Sequence, residues 1–207
     1  MLVTLDDNAV QHAAFAPGML LQELVDLVRE WHARGRLIVS VAVNGRQIEP
    51  SDLSDMLQRP VAESDQIRFE TGDPRNLVQS AFEELSTAFG EARWQHGALA
   101  DKLAAGQADV AVRDLGGYLE LWSTCRQALL QCSSLLDRDL TGHEYHGLPL
   151  ESYLQNAVNV LKQVRDALEA RDYVSLGDLV RYELPMLSET WQNIFEDLRA
   201  STDADAA

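Results

Sequence analysis

From Val78 onward the apolar residues recur at alternating spacings of four and three, and that period limits what the region can become. One run reads Val78, Phe82, Leu85, Phe89, Ala92, His96, Leu99 and Leu103, and Gly106 closes it. A second reads Ala111, Leu115, Tyr118, Trp122, Cys125, Leu129, Cys132 and Leu136. Leu150, Leu154, Ala157, Leu161, Val164 and Leu168 make a third. Tyr173, Gly177, Val180, Leu184, Leu187, Trp191, Ile194 and Leu198 make a fourth. Such spacing lays a narrow apolar stripe along one face of a helix, which only other helices can cover well. Four stripes joined mostly by short turns predict an antiparallel four-helix bundle over residues 73–207, with helices at about 74–105, 107–137, 149–171 and 173–200 and a disordered tail at 201–207.

The start of this region is marked by Asp73-Pro74. A carboxylate there caps free N–H groups, and proline suits a first helical turn. Pro185 falls inside the fourth stripe, where it removes a backbone donor and predicts a kink near Arg181 to Leu184. A weak echo, Asp114-Leu115 with Tyr118 against Asp178-Leu179 with Tyr182, raises the question of a duplicated helical hairpin.

Upstream of Asp73 the pattern alternates. Met1 to Asp6 and Gln11 to Ala16 read as strands, and Leu20 to Trp31 as an amphipathic helix stopped by Gly35. Leu37 to Val43 is a third strand. Asn44-Gly45 is a hairpin signal because both residues accept the positive φ of a tight turn. Gln47 to Glu49 follows as a short strand, then a helical turn at Ser51 to Leu57 capped by Ser51 or Ser54, and a closing strand at Ile67 to Thr71. In this order, the stretches VAVNGRQI and SDQIRFETG resemble strands of the ubiquitin-like β-grasp family, which includes ubiquitin and the small sulfur carriers. The resemblance implies an α+β protein with a β-grasp domain at residues 1–72 and the helical bundle after it.

Carriers of that family act through an exposed Gly-Gly terminus. Here the closing strand runs into Thr71-Gly72-Asp73-Pro74, and Gly116-Gly117 lies within a helical stretch. The reacting group of a carrier is missing, so the domain reads as a binding or structural module.

The formal net charge is −16, which disfavours nucleic acid and anionic membrane surfaces as partners. No apolar run approaches the ~20 residues that span a bilayer, and no secretory signal is visible, so the expected location is the cytoplasm. Cys125 and Cys132 share a helix face but stand about 10 Å apart along its axis. They are expected as buried thiols, not as a disulfide.

Candidate chemistry is sparse. His143 and His146 flank Glu144 and are the best metal candidates, but no nearby cysteine completes a set. The Glu-x-x-His pairs of dinuclear carboxylate bundles, nucleophile elbows and phosphate loops do not occur. His96 sits on an apolar stripe and is expected as a buried neutral imidazole. Trp94 and Tyr182 fall off the stripes. With Tyr153 and Glu183 they form a candidate partner surface, since aromatic residues dominate interface energetics. The sequence therefore reads as a non-catalytic interaction or chaperone-like protein without cofactor or catalytic residues, which docks a protein or self-associates through the acidic helices or the β-grasp sheet. In shape and charge the helical region is similar to the chaperones of flagellar and type III export substrates. The alternative is a small-molecule-binding protein or enzyme whose site lies at the junction of the two domains, held by the linker Gly72 to Arg75.

Overall fold

A computed structural model of the chain describes residues 1–204. It is an α+β structure, with a mixed sheet in the N-terminal part and helices after it. The chain divides into two compact units, Met1–Leu77 and Val78–Ala207.

In the first unit the elements are β1 (Leu2–Leu5), β2 (Asn8–Val10), α1 (Leu21–Trp31), β3 (Leu37–Val43), β4 (Arg46–Gln47), α2 (Leu53–Leu57) and β5 (Gln66–Gly72). The strands lie in the order β2-β1-β5-β3-β4. β5 is central, parallel to β1 and antiparallel to β3. Ile67 stands opposite Val3 on one side and Val43 on the other, and Phe69 is opposite Val41. Alternation puts these side chains on one face, where they form a core with Leu21, Leu24 and Val28 of α1. Asn44 and Gly45 take the positive φ values of 54° and 79° expected of their turn.

Several local expectations are corrected. The second strand is Asn8–Val10, not Gln11–Ala16. Asp6 and Asp7 both adopt positive φ and make the turn by themselves, so the chain reverses earlier. Residues 11–16 instead carry His12 and Phe15 into an aromatic group with Trp31 and His32, in which His12 stacks on Trp31 at 5.2 Å. The fourth strand is Arg46–Gln47, drawn forward by the two-residue turn. At α2 the N-cap is Asp52 instead of Ser51 or Ser54, and it makes no side-chain capping bond.

The second region contains α3 (Pro74–Ala104), α4 (Ala108–Leu136), the hairpin strands β6 (Glu144–Tyr145) and β7 (Leu148–Pro149), α5 (Leu150–Ala170), α6 (Tyr173–Asp178), a π-helical turn (Leu179–Glu183) and α7 (Leu184–Ala204). Asp73 accepts the N–H of Arg75 at 2.8 Å, as a residue capping α3 should. The α3 and α4 stripes are buried almost throughout, with Ala92 and Leu136 only partly covered. Around Phe89 the core is aromatic: Trp122 lies 5.0 Å away, Phe195 5.9 Å, and Trp122 meets Trp191 edge to face at 5.3 Å.

The fourth stripe needs a correction of phase. Leu176 is buried upstream of Val180, whereas Tyr173 is exposed and Gly177 half-covered. The cause is the π turn. Pro185 offers no N–H to the Arg181 carbonyl, and Leu184 donates instead to the Leu179 carbonyl five residues back. The wider turn holds one extra residue, which shifts the apolar face upstream of it. Positions of the proposed echo differ accordingly: Tyr118 is 7% exposed and Tyr182 61%. The expected disordered tail is also corrected over Ser201–Ala204, which continue α7. There Ser201 and Thr202 hydroxyls both donate to the Leu198 carbonyl, and Thr202 is buried. The remainder of that expectation, residues 205–207, lies outside the described residues.

Candidate functional site

Three settings in the helical unit bring polar or exposed apolar side chains together. The first is internal. His96 Nε2 of α3 lies 3.1 Å from Ser188 Oγ of α7, and Ser188 Oγ donates to the Tyr118 hydroxyl of α4 at 3.2 Å. The His96 ring also meets the Tyr118 ring edge to face at 4.6 Å. Burial pushes the His96 imidazole down to about 4, so it is neutral at physiological pH. Burial also raises the Tyr118 phenol, against the opposing effect of its bond with Ser188. No carboxylate orients the imidazole in these contacts, and Ser188 is fully buried. This group ties three helices together through satisfied polar contacts.

The second setting is the seam between α3 and the π turn with α7. Arg93 pairs with Glu189 at 3.1 Å and Asp101 with Arg181 at 2.6 Å, so the two elements run in opposite directions along each other. The same elements carry three exposed apolar side chains: Trp94 at 83%, Tyr182 at 61% and Met186 at 67%. Trp94 follows Arg93, and Tyr182 follows Arg181. The ion pairs therefore place them along the same pair of elements. Glu183 is exposed on the same π turn. Met186 was missed by the sequence reading; it lies between Leu184 and Leu187 of the fourth stripe, and helical periodicity turns it away from the core those two residues face.

The third is a cleft of about 550 Å³ between α3 and α4. Ala88, Ala92, Ala98 and Gly117 keep it open, and His96 and Tyr118 contribute to its lining. Lys102 and Asp114 also line it and pair at 2.6 Å. No sequence pattern announces it, because it depends on which helix faces Gly117.

The remaining candidates separate from this surface. Tyr153 is half-buried; its hydroxyl donates to the Tyr145 carbonyl at 3.0 Å and its ring packs edge to face on Tyr145. It is a support for the β6–β7 hairpin and no part of an exposed aromatic set, which corrects its grouping with Trp94 and Tyr182. His143 Nε2 lies 2.7 Å from Asp197 Oδ2. His146 occupies the hairpin turn with φ 48°, beside Gly147 at 76°. Among the described residues no group of three or more His, Cys, Asp or Glu side chains could hold a metal ion. The segment between α4 and α5 folds as the β6–β7 hairpin. The His146-Gly147 pair, both residues at positive φ, was the available turn signal. Among the described residues no helix is long and apolar enough to cross a membrane.

Comparison with protein-family models, with curated proteins and with solved structures finds no match for this chain.

Proposed function

We propose that the chain is a non-catalytic protein-docking module, with a ubiquitin-like β-grasp domain at its N-terminus and an acidic antiparallel four-helix bundle as the docking element. The parallel β1–β5 pair at the centre of a five-stranded mixed sheet, with α1 packed on one face, supports the β-grasp reading. The shared core of α3, α4, α5 and α7 and the opposed directions of the α3–α7 ion pairs support the bundle.

The observation that carries the docking function is the exposure of Trp94, Tyr182 and Met186 together along α3 and the π turn with α7. Tryptophan, tyrosine and methionine are the residue types that interfaces favour. A π turn in a helix is also a frequent mark of a functional position, and this one carries Tyr182 and Glu183.

The test compares the full chain with a variant carrying Trp94→Ala, Tyr182→Ala and Met186→Ala. Light scattering and affinity capture should show a self-associated or partnered wild type and a folded variant that has lost the association. A wild type that is monomeric and captures nothing, or a variant that keeps the same association, overturns the proposal.

A further inference from the structure

The α3–α4 cleft is chemically specific in ways that the docking function alone does not require. Its small residues recur along α3 at Ala88, Ala92 and Ala98, and Gly117 faces them from α4. From Ala88 to Lys102 the lined length is about 21 Å at 1.5 Å per residue, which corresponds to about four helical turns. Small side chains let another backbone approach closely. A Cβ placed at Gly117 would meet nothing within 4 Å, so the cleft is open above that residue.

The walls are helices, whose backbone groups are bonded internally. An extended peptide laid here would find few main-chain partners and would leave its own N–H and C=O groups unsatisfied against alanine. A helix brings its own hydrogen bonds and needs only an apolar ridge to enter the groove.

Charge selects among helices. The one cation lining the cleft, Lys102, is neutralised by Asp114. Glu91 also lines it, and Glu84 lies one heptad before Glu91 on the same face of α3. Among the described residues neither glutamate has an ion-pair partner, and both side chains are exposed. Trp94 is three residues after Glu91 and four before Ala98, so helical periodicity sets it at the α3 rim. The rim thus offers carboxylates and an aromatic ring, and the chain as a whole carries −16.

We infer that the α3–α4 cleft binds a basic amphipathic α-helix of a partner protein, with the apolar ridge of that helix over Ala88, Ala92, Ala98 and Gly117 and its Lys or Arg residues against Glu84 and Glu91. This assignment rests on the docking reading above and names the partner's chemistry.

The test uses synthetic peptides of about five turns with the full chain. One has a leucine ridge and a Lys/Arg polar face. A second keeps the ridge but has a glutamate polar face, and a third scrambles the first. Binding is read by calorimetry, by Trp94 emission and by helicity gained in circular dichroism. The basic peptide should bind about tenfold or more tighter than either control and weaken with added salt. Gly117→Leu, which fills the cleft at an open position, should weaken it by about tenfold, and Glu84→Gln with Glu91→Gln should reduce both affinity and salt dependence. Gly116→Leu, at an open α4 position that does not line the cleft, should leave binding unchanged. Equal binding of the basic and scrambled peptides, no binding of any peptide, or indifference to Gly117→Leu overturns the assignment. If Gly117→Leu is silent while the Trp94, Tyr182 and Met186 variant still abolishes association, only the cleft assignment falls and the docking module stands. If that variant is silent as well, both fall.

Discussion

His96 of α3 and Ser188 of α7 meet at 3.1 Å in the interior of the helical unit, where the imidazole is 2% exposed and neutral. An ordinary histidine near 6.5 becomes protonated in the unfolded chain as the pH falls below that value, while the buried one does not until about 4. Protons therefore bind preferentially to the unfolded state across this window, and stability falls as the pH drops from 6.5 to 4. The shift corresponds to about 3 kcal/mol. His96→Leu should remove this share of the pH dependence while costing about 1–3 kcal/mol at pH 7 for the lost polar contact. Urea denaturation at pH 7 and pH 4.5 checks it. Parallel losses in wild type and variant would contradict the assignment.

Cys125 and Cys132 lie on the buried face of α4, and burial pushes their thiols up to about 12 and about 11. A thiol in that state has almost no thiolate at neutral pH and is a poor nucleophile. Neither should react with an aromatic disulfide reagent in the native protein, and both should react once it is unfolded in urea. The two should not oxidise to a bridge, because seven helical residues separate them by about 10 Å against a limit of about 7 Å between Cα atoms.

How much of this was legible in the sequence follows from what each signal measures. The stripes in α3 and α4 were readable because a long helix with one covered face repeats its period many times, and Val78 to Leu103 contains few exceptions. The Asn44-Gly45 turn was readable because backbone chirality restricts who can occupy it. Asp6 and Asp7 were harder, since aspartate occupies positive φ less often and the hairpin they make is short. The phase before Val180 differs from the expected stripe because the backbone meets Pro185 with a π turn, whose extra residue the stripe pattern does not include. That choice depends on packing around Leu176 and Val180, which no local pattern reports. Trp94 and Tyr182 were legible as residues off the stripes. The α3–α4 cleft was not, because it arises from which helix faces Gly117, a tertiary fact.

Four tryptophans report on distinct settings. Trp94 is 83% exposed and Trp31 48%, whereas Trp122 and Trp191 lie in the core. Trp94→Phe should change stability by less than about 0.5 kcal/mol and remove the emission most accessible to iodide. Trp191→Ala should cost about 3–5 kcal/mol through the cavity left beside Phe89, Trp122 and Phe195. Quenching and urea midpoints on the two variants check both statements. A Trp94→Phe variant whose quenching matches wild type would show that this ring is covered, and would remove the support for the docking surface.

Asp65 anchors the first unit at the start of β5. Its carboxylate accepts the Ala62 N–H at 2.9 Å and the Asn44 Nδ2 at 2.8 Å, with Arg59 at 3.3 Å. The bond from Ala62 and then that from Asn44 hold its carboxyl below the usual aspartate value, with a smaller contribution from Arg59. Because the folded value is depressed, this stabilisation is present above the unfolded value near 3.8 and is lost as the pH falls below it. Asn44 serves two purposes at once: its Oδ1 accepts the Gln66 N–H at 2.9 Å, and its backbone sits at φ 54°. Asn44→Ala should cost about 1–3 kcal/mol for the lost bonds and a further 1–2 kcal/mol or so for the left-handed backbone. Asn44→Gly keeps the backbone freedom and should incur only the first cost. Asp65→Asn should flatten the acid limb below pH 4. Amide exchange at Val3 and Ile67, in the adjoining strands, reads the first unit without interference from the helices. If the alanine and glycine variants exchange alike, the turn conformation carries no energy of its own, and the account of Asn44 reduces to its side-chain bonds.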